Sequence, residues 1–151
     1  APRILLTGCP IGSGSEKVLK ILEESGASVV ALENCTGYKG LDTLVDETKD
    51  PVTAIAEKYL STSCSCMTYN EGRLDLIKRL AEEYKVDGVV DLTWIACHTY
   101  NVESYAVRNF VRDELGLPFL QIETDYSDSD VGQIKVRTEA FLETMVSAIT
   151  A

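Results

Sequence analysis

Histidine is almost missing from this chain of 151 residues; His98 is the single one. A Cys₂His₂ zinc site would have to draw a histidine from that position alone, and a nucleophile–histidine pair would have one candidate base. Positive charge is scarce as well: 14 Lys and Arg stand against 24 Asp and Glu, a formal net charge of −10. That balance argues against nucleic acid or an anionic membrane as partner, since both need basic patches to offset phosphate. No apolar run approaches the ~20 residues that span a bilayer. The opening Ala1-Pro2-Arg3-Ile4 lacks signal-peptide organisation and an initiator Met, so the chain is expected to be processed or to be a piece of something longer. Zinc-knuckle and thioredoxin-type C-x-x-C spacings are missing too, Cys64-Ser65-Cys66 being C-x-C. Five cysteines form an odd set in a chain large enough not to need disulfide staples. A reducing cytoplasm is expected, with thiols free, catalytic or metal-bound.

What is present is an ordinary globular composition, 45% hydrophobic and 25% charged, without internal repeats or a low-complexity linker. One domain over 1–151 is expected. Apolar runs at Arg3–Gly8, Ala27–Glu33, Gly88–Ile95 and Phe119–Glu123 read as strands. Between them lie amphipathic stretches. The first is capped by Ser15, carries Val18, Leu19, Ile21 and Leu22, and stops at Gly26; a second starts at Asp50-Pro51; a third starts at Asn70 with Leu74, Ile77, Leu80 and Ala81 inward. A fourth begins near Asn101-Val102-Glu103, with Val102, Tyr105, Ala106, Phe110 and Val111 inward, and the last runs from Val131 to about Ile149 behind Asp130. A further short helix is placed around Leu41–Val45, and Met67 is assigned to the core. Strands alternating with helices predict an α/β fold, a four-stranded parallel sheet in order 2-1-3-4 with helices on both faces, Rossmann- or flavodoxin-like.

In such a sheet, ligands gather at the carboxyl ends of the strands, at the switch point between the first and third. Cys9 closes the first run, Cys35 the second, and Cys97 follows the third, so three thiols fall on one sheet edge. Metal or iron–sulfur ligation suits loop cysteines there; a buried structural cysteine is the plainer alternative. Cys97-His98 is a poor catalytic pair because neighbours on one backbone rarely face each other. Cys64 and Cys66 share a loop in which an extended backbone would need a bend to bring both sulfurs to one metal. Gly8-Cys9-Pro10-Ile11-Gly12-Ser13-Gly14-Ser15 is a tight turn with a cap or an anion-binding edge, but neither a Walker A loop nor G-x-G-x-x-G. Glu123 and Asp125 share a side of the fourth strand's end, as solvated carboxylates or a base; Lys135 and Arg137 read as helix-surface charges.

Five segments carry a family resemblance: Thr7-Gly8-Cys9-Pro10, Glu33-Asn34-Cys35-Thr36-Gly37, Cys64-Ser65-Cys66-Met67-Thr68, Ala96-Cys97-His98-Thr99-Tyr100-Asn101-Val102-Glu103 and Ile122-Glu123-Thr124-Asp125-Tyr126-Ser127. In this order they resemble the 2-hydroxyacyl-CoA dehydratase family, which includes the D-component of 2-hydroxyglutaryl-CoA dehydratase, benzoyl-CoA reductase subunits and double-cubane cluster proteins. The resemblance implies an anaerobic, cytoplasmic iron–sulfur subunit ([4Fe-4S] or double-cubane), paired with a homologous subunit and fed one electron by an ATP-hydrolysing iron–sulfur activator. That electron would turn a 2-hydroxyacyl-CoA into a ketyl radical whose hydroxyl can leave. It implies Cys97, Cys35 and Cys64 as cluster ligands, with Cys9 a candidate by position. The chain is far shorter than such subunits and corresponds to their C-terminal domain, so it is expected to be inactive alone. A non-catalytic α/β module that binds metal or a partner is the competing reading, and a double-cubane-type reductase component another.

Overall fold

Each strand is short, rich in branched residues, and bounded by a turn signal. In the computed structural model, which describes residues 1–67 and 69–149, Arg3–Gly8 forms β1, Ser28–Glu33 β2, Gly88–Trp94 β3 and Phe119–Thr124 β4. They make one sheet in the order β2-β1-β3-β4 with every pairing parallel, as the alternation of elements predicted. Helices α1 (Lys17–Glu24), α2 (Pro51–Leu60), α3 (Glu71–Glu83), α4 (His98–Asn109) and α5 (Val131–Ile149) fill the crossovers. A single 3₁₀ turn covers Tyr38–Gly40, and the end of α4 widens into a π-type turn over Phe110–Glu114.

Side chains alternate across a strand, so β1 sends Ile4 and Leu6 to one face and Leu5 to the other. On the first face they join Val18 and Leu22 of α1 and Ile134, Phe141, Leu142 and Met145 of α5. On the second, Leu5 and Val89 meet Leu76, Ile77 and Leu80 of α3, Val107 of α4 and Val111 of the π-type turn that follows it. The central strand β3 is buried along its whole length, as expected for a parallel sheet covered on both faces. Helix α2 is the exception: it buries Ala54 alone and leaves Val52, Tyr59 and Leu60 to solvent.

Several local expectations are corrected. Ser15 does not cap α1; its hydroxyl accepts from Gly12 N and donates to Gly12 O, so it closes its own turn. No helix covers Leu41–Val45, where Leu41 and Leu44 are exposed. Met67 is exposed rather than in the core, and Thr68, the end of its motif, lies outside the described residues. Helix α4 starts three residues earlier than predicted, at His98, and its buried stripe is Tyr100, Ser104, Val107 and Val111. Val102 and Tyr105 face solvent because a polar cluster draws the opposite side of the helix inward.

Candidate functional site

Cysteines gather at the carboxyl ends of β1, β2 and β3, and the backbone there is under tight constraint. Gly8 has φ +105°, and a Cβ at that position would lie 2.2 Å from Leu92 O. Only glycine lets β1 cross so close to β3, where Cys9 N then donates to Leu92 O at 2.8 Å. After β3, Ala96 adopts φ +69°, a left-handed conformation uncommon for a residue with a side chain. This turn sets Cys97 at the head of α4.

The thiols form two neighbouring groups. Cys9 is buried, with Trp94 N donating to its sulfur at 3.4 Å. Burial first, and the adjacent Cys97 thiol second, push it up to about 12. Cys9 therefore keeps its proton, while Cys97 in front of it is half-buried, its Sγ 3.9 Å from Thr99 Oγ1. In the second group a turn at Ser65-Cys66 brings Cys66 Sγ to 3.4 Å from Cys64 Sγ, so the bend that the C-x-C spacing seemed to lack is present. Ser65 donates to Thr99 Oγ1 at 3.3 Å and ties this loop to the head of α4. Partial burial works against a Cys64 thiolate, but the amide and thiol of Cys66 and the charge of Lys39 outweigh it and hold Cys64 below the ordinary thiol range. Cys66, which shares the proton, is held above it chiefly by Cys64. Cys35 is exposed on the same side, near Cys66 and Tyr100. The five cysteines are all free, and among the described residues no three His, Cys, Asp or Glu side chains are arranged to hold one metal ion. Cys9, Cys35, Cys64 and Cys97 thus share an edge without converging as one constellation.

Beneath the thiols lies a feature that the sequence did not disclose, a buried cluster of charges centred on Arg73. This arginine is 1% exposed. Its Nε meets Glu33 Oε2 at 3.2 Å, Nη1 meets Glu103 Oε2 at 2.6 Å, and Nη2 reaches Thr7 Oγ1 at 2.9 Å and Asp91 Oδ1 at 3.4 Å. Thr7 donates in turn to Glu33 through a short contact. Lys39, also buried, pairs with Glu33 Oε1 at 2.8 Å. Both cations lie against the ring of Tyr100, 5.0 Å for the Arg73 guanidinium and 5.6 Å for Lys39 Nζ. Burial alone would discharge Arg73, but Glu33, Asp91 and Glu103 overcome that and raise its proton affinity further. Asp91 is pushed up by burial, partly countered by Arg73, and burial likewise raises Tyr100. Asn70 at the start of α3 does not cap its helix but gives its amide to Glu103 Oε1 at 2.7 Å.

Four members of this cluster, Thr7, Glu33, Tyr100 and Glu103, stand within the motif segments, Thr7 and Glu33 beside Cys9 and Cys35. The polarity of Thr7 and Glu33 at strand ends was the available signal; Glu103 lies within α4, and Arg73 gave none, since one arginine in an amphipathic helix reads as a surface charge. The remaining predicted sites resolve simply. His98 is exposed and bonded to no cysteine. The amide of Gly14 is taken by the Glu16 carboxylate at 3.0 Å and that of Ile11 by Thr36 Oγ1 at 3.2 Å, so the glycine-rich turn supplies its own anion. Glu123 accepts from Asn101 at 3.1 Å, Asp125 from Ser127, and Asp130 binds Lys17 at 2.7 Å together with Thr124.

The model of the 2-hydroxyglutaryl-CoA dehydratase D-component family matches residues 1–145. The chain belongs to that family. A protein of Escherichia coli K12 named as a dehydratase subunit, YjiM, is 53% identical over 142 residues, 94% of this chain and 37% of the relative. The (R)-phenyllactyl-CoA dehydratase beta subunit of Clostridium sporogenes is 31% identical over 146 residues, 95% of this chain and 38% of the relative. This D-component-type chain thus spans less than two fifths of either relative's length. No described helix is long and apolar enough to cross a membrane.

Proposed function

We propose that this chain is an α/β domain of a longer iron–sulfur subunit, in which Cys97, Cys35 and Cys64 contribute ligands to a cluster, of [4Fe-4S] or double-cubane type, completed by the rest of the polypeptide. The observation that carries this reading is the gathering of exposed and half-exposed thiols at one sheet edge, beside buried Lys39. The donor set fits in kind: thiolates are the ligands iron–sulfur clusters take, and positive charge nearby favours them. It fits only in part by number, since this segment offers no complete ligand set among its described residues. Cys9 belongs to the proposal as the wall behind Cys97: its sulfur is buried, accepts an amide, and stays protonated.

A cluster at this edge would supply one electron to the carbonyl of a 2-hydroxyacyl thioester, so that the adjacent hydroxyl leaves. The residues shown here do the remaining work. The Ala96 turn aims Cys97, Thr99 joins its loop to the Cys64 loop, and the Arg73 cluster fixes the strand ends from below. A homologous partner subunit, an ATP-dependent iron–sulfur activator, an acyl-CoA substrate and an anaerobic, cytoplasmic setting complete the proposal, in which the 151-residue segment is inactive alone. Iron and acid-labile sulfide are to be measured in the full-length polypeptide after anaerobic purification. Cys97→Ser, Cys35→Ser and Cys64→Ser are expected to lower both while Cys9→Ser keeps them. Full iron and sulfide in all three ligand variants would refute the assignment and favour a metal-free partner-binding module.

A further inference from the structure

Three of the chain's six arginines, Arg108, Arg112 and Arg137, line one groove, although acids outnumber bases 24 to 14 in the whole sequence. The groove encloses about 940 Å³ with its open mouth and runs along the outer edge of β4 from Phe119 to Glu123. Arg108 comes from α4, Arg112 from the π-type turn that ends it, and Arg137 from α5. Among the described residues no carboxylate pairs with any of the three, whereas Arg73 and Arg79 both have such partners. Glu123 is the one carboxylate in the lining, and Asn101 holds it at the groove's end.

Guarding the edge strand explains one of these residues. Arg137 Nη2 donates to Gln121 O at 2.6 Å, blocking a carbonyl that another strand could use. Arg108 lies over the Tyr105 ring at 5.3 Å, and among the described residues neither its side chain nor that of Arg112 makes a hydrogen bond or an ion pair. We propose that this groove is a binding site for a diphosphate-bearing ligand. Guanidinium forks match phosphate oxygens two at a time. The lined stretch of β4 is about 13 Å long at strand rise, more than a single phosphate covers and suited to a diphosphate with its attached group. The proposal goes beyond the iron–sulfur reading and does not rest on it, though the diphosphate of coenzyme A and that of a free nucleotide share this chemistry.

The test is calorimetric titration of the full-length polypeptide with inorganic pyrophosphate, coenzyme A and ATP at about 0.15 M salt, where non-specific charge attraction is screened. Arg108→Gln with Arg112→Gln is expected to weaken binding by about tenfold or more, with an unchanged melting temperature, while Lys135→Gln leaves affinity alone. Dependence on the arginine pair for coenzyme A but not ATP identifies a thioester substrate as the source; the reverse identifies a nucleotide; equal dependence with pyrophosphate identifies the phosphates themselves. The proposal is overturned if none of the three binds, or if the double variant binds all of them as wild type does. Iron content of the double variant is expected to match wild type, so failure of the groove and failure of the cluster assignment separate.

Discussion

Arg73 concentrates more of the molecule's electrostatics than any other single side chain. Its guanidinium faces Glu33, Asp91 and Glu103 at once, with Lys39 as the second cation and Tyr100 as a ring against both. Removing one partner of a buried ionic network costs more than the network contributes net, because the remaining charges are stranded without water. Arg73→Met is therefore expected to destabilise the fold by about 3–5 kcal/mol, measured by urea unfolding. Arg73→Lys should recover only part of that loss, since a point charge cannot serve acceptors that the planar fork meets on several sides. A loss below about 1 kcal/mol for Arg73→Met would mean that the carboxylates find water instead. Gly8 is a second position of this weight, for steric rather than electrostatic reasons. With φ +105° and Leu92 O 2.2 Å from any added Cβ, Gly8→Ala is expected to cost on the order of 3 kcal/mol and to disturb Cys9, whose amide bonds the same carbonyl.

The turn between β3 and α4 decides how Cys97 is presented. Ala96 holds a left-handed conformation that costs roughly 1–2 kcal/mol in a residue with a side chain, while glycine there costs about 0.5–1 kcal/mol in unfolded-state entropy. Ala96→Gly is thus expected to leave thermal stability equal or slightly higher, and Ala96→Val to lower it; a clear drop for the glycine variant would show that the conformation is not strained. At this scale the sequence was readable wherever apolar periodicity decided the outcome. All four strands, the order of the sheet, the Asp50-Pro51 helix start with its Asp50 carboxylate on Thr53 N, and the inward face of α5 follow from branched residues, caps and spacing. It misled where polar residues go inside. Asp91 sits unmarked within an apolar strand, and Ser104 takes a core position on α4, so a pattern that equates apolar with buried rotated that helix toward Val102 and Tyr105. The same rule hid Arg73 on α3. The thiol edge was legible from strand ends alone, but the closeness of Cys64 to Cys66 depends on a turn, and the burial of Cys9 on packing around Trp94.

At the scale of the whole molecule, the excess of carboxylates makes stability a function of pH with two opposing signs. Glu16, Asp46, Asp50, Asp125 and Asp130 are all held below their ordinary values. A group with a depressed folded value contributes stability above its unfolded value, 4.5 for Glu16 and 3.8 for the aspartates, and that contribution is lost as pH falls through the depressed value. Asp91 is displaced upward, so its contribution is largest below 3.8 and is lost as pH rises. Below 3.8 the Asp91 contribution no longer changes, so the loss from the other five predicts a fold that weakens as pH falls below that value. Asp130 is the most informative of the five, because it joins three elements: Lys17 of α1 at 2.7 Å, Thr124 at the end of β4, and the start of α5. Burial opposes its charge, and Lys17 and Thr124 overcome that. Asp130→Asn keeps the shape and removes the charge. Its melting temperature is expected to lie below wild type at pH 7, and the gap should close as pH falls below 3.8 through the depressed value at which wild-type Asp130 takes up its proton. A gap that stayed constant from pH 7 down through that value would assign the role of Asp130 to packing and hydrogen-bond geometry instead of charge. Because the carboxylate lies beside the β4 end on which Glu123 and Asp125 also stand, a closing gap would further show that this edge of the sheet is held by ionic ties as well as by the core beneath it.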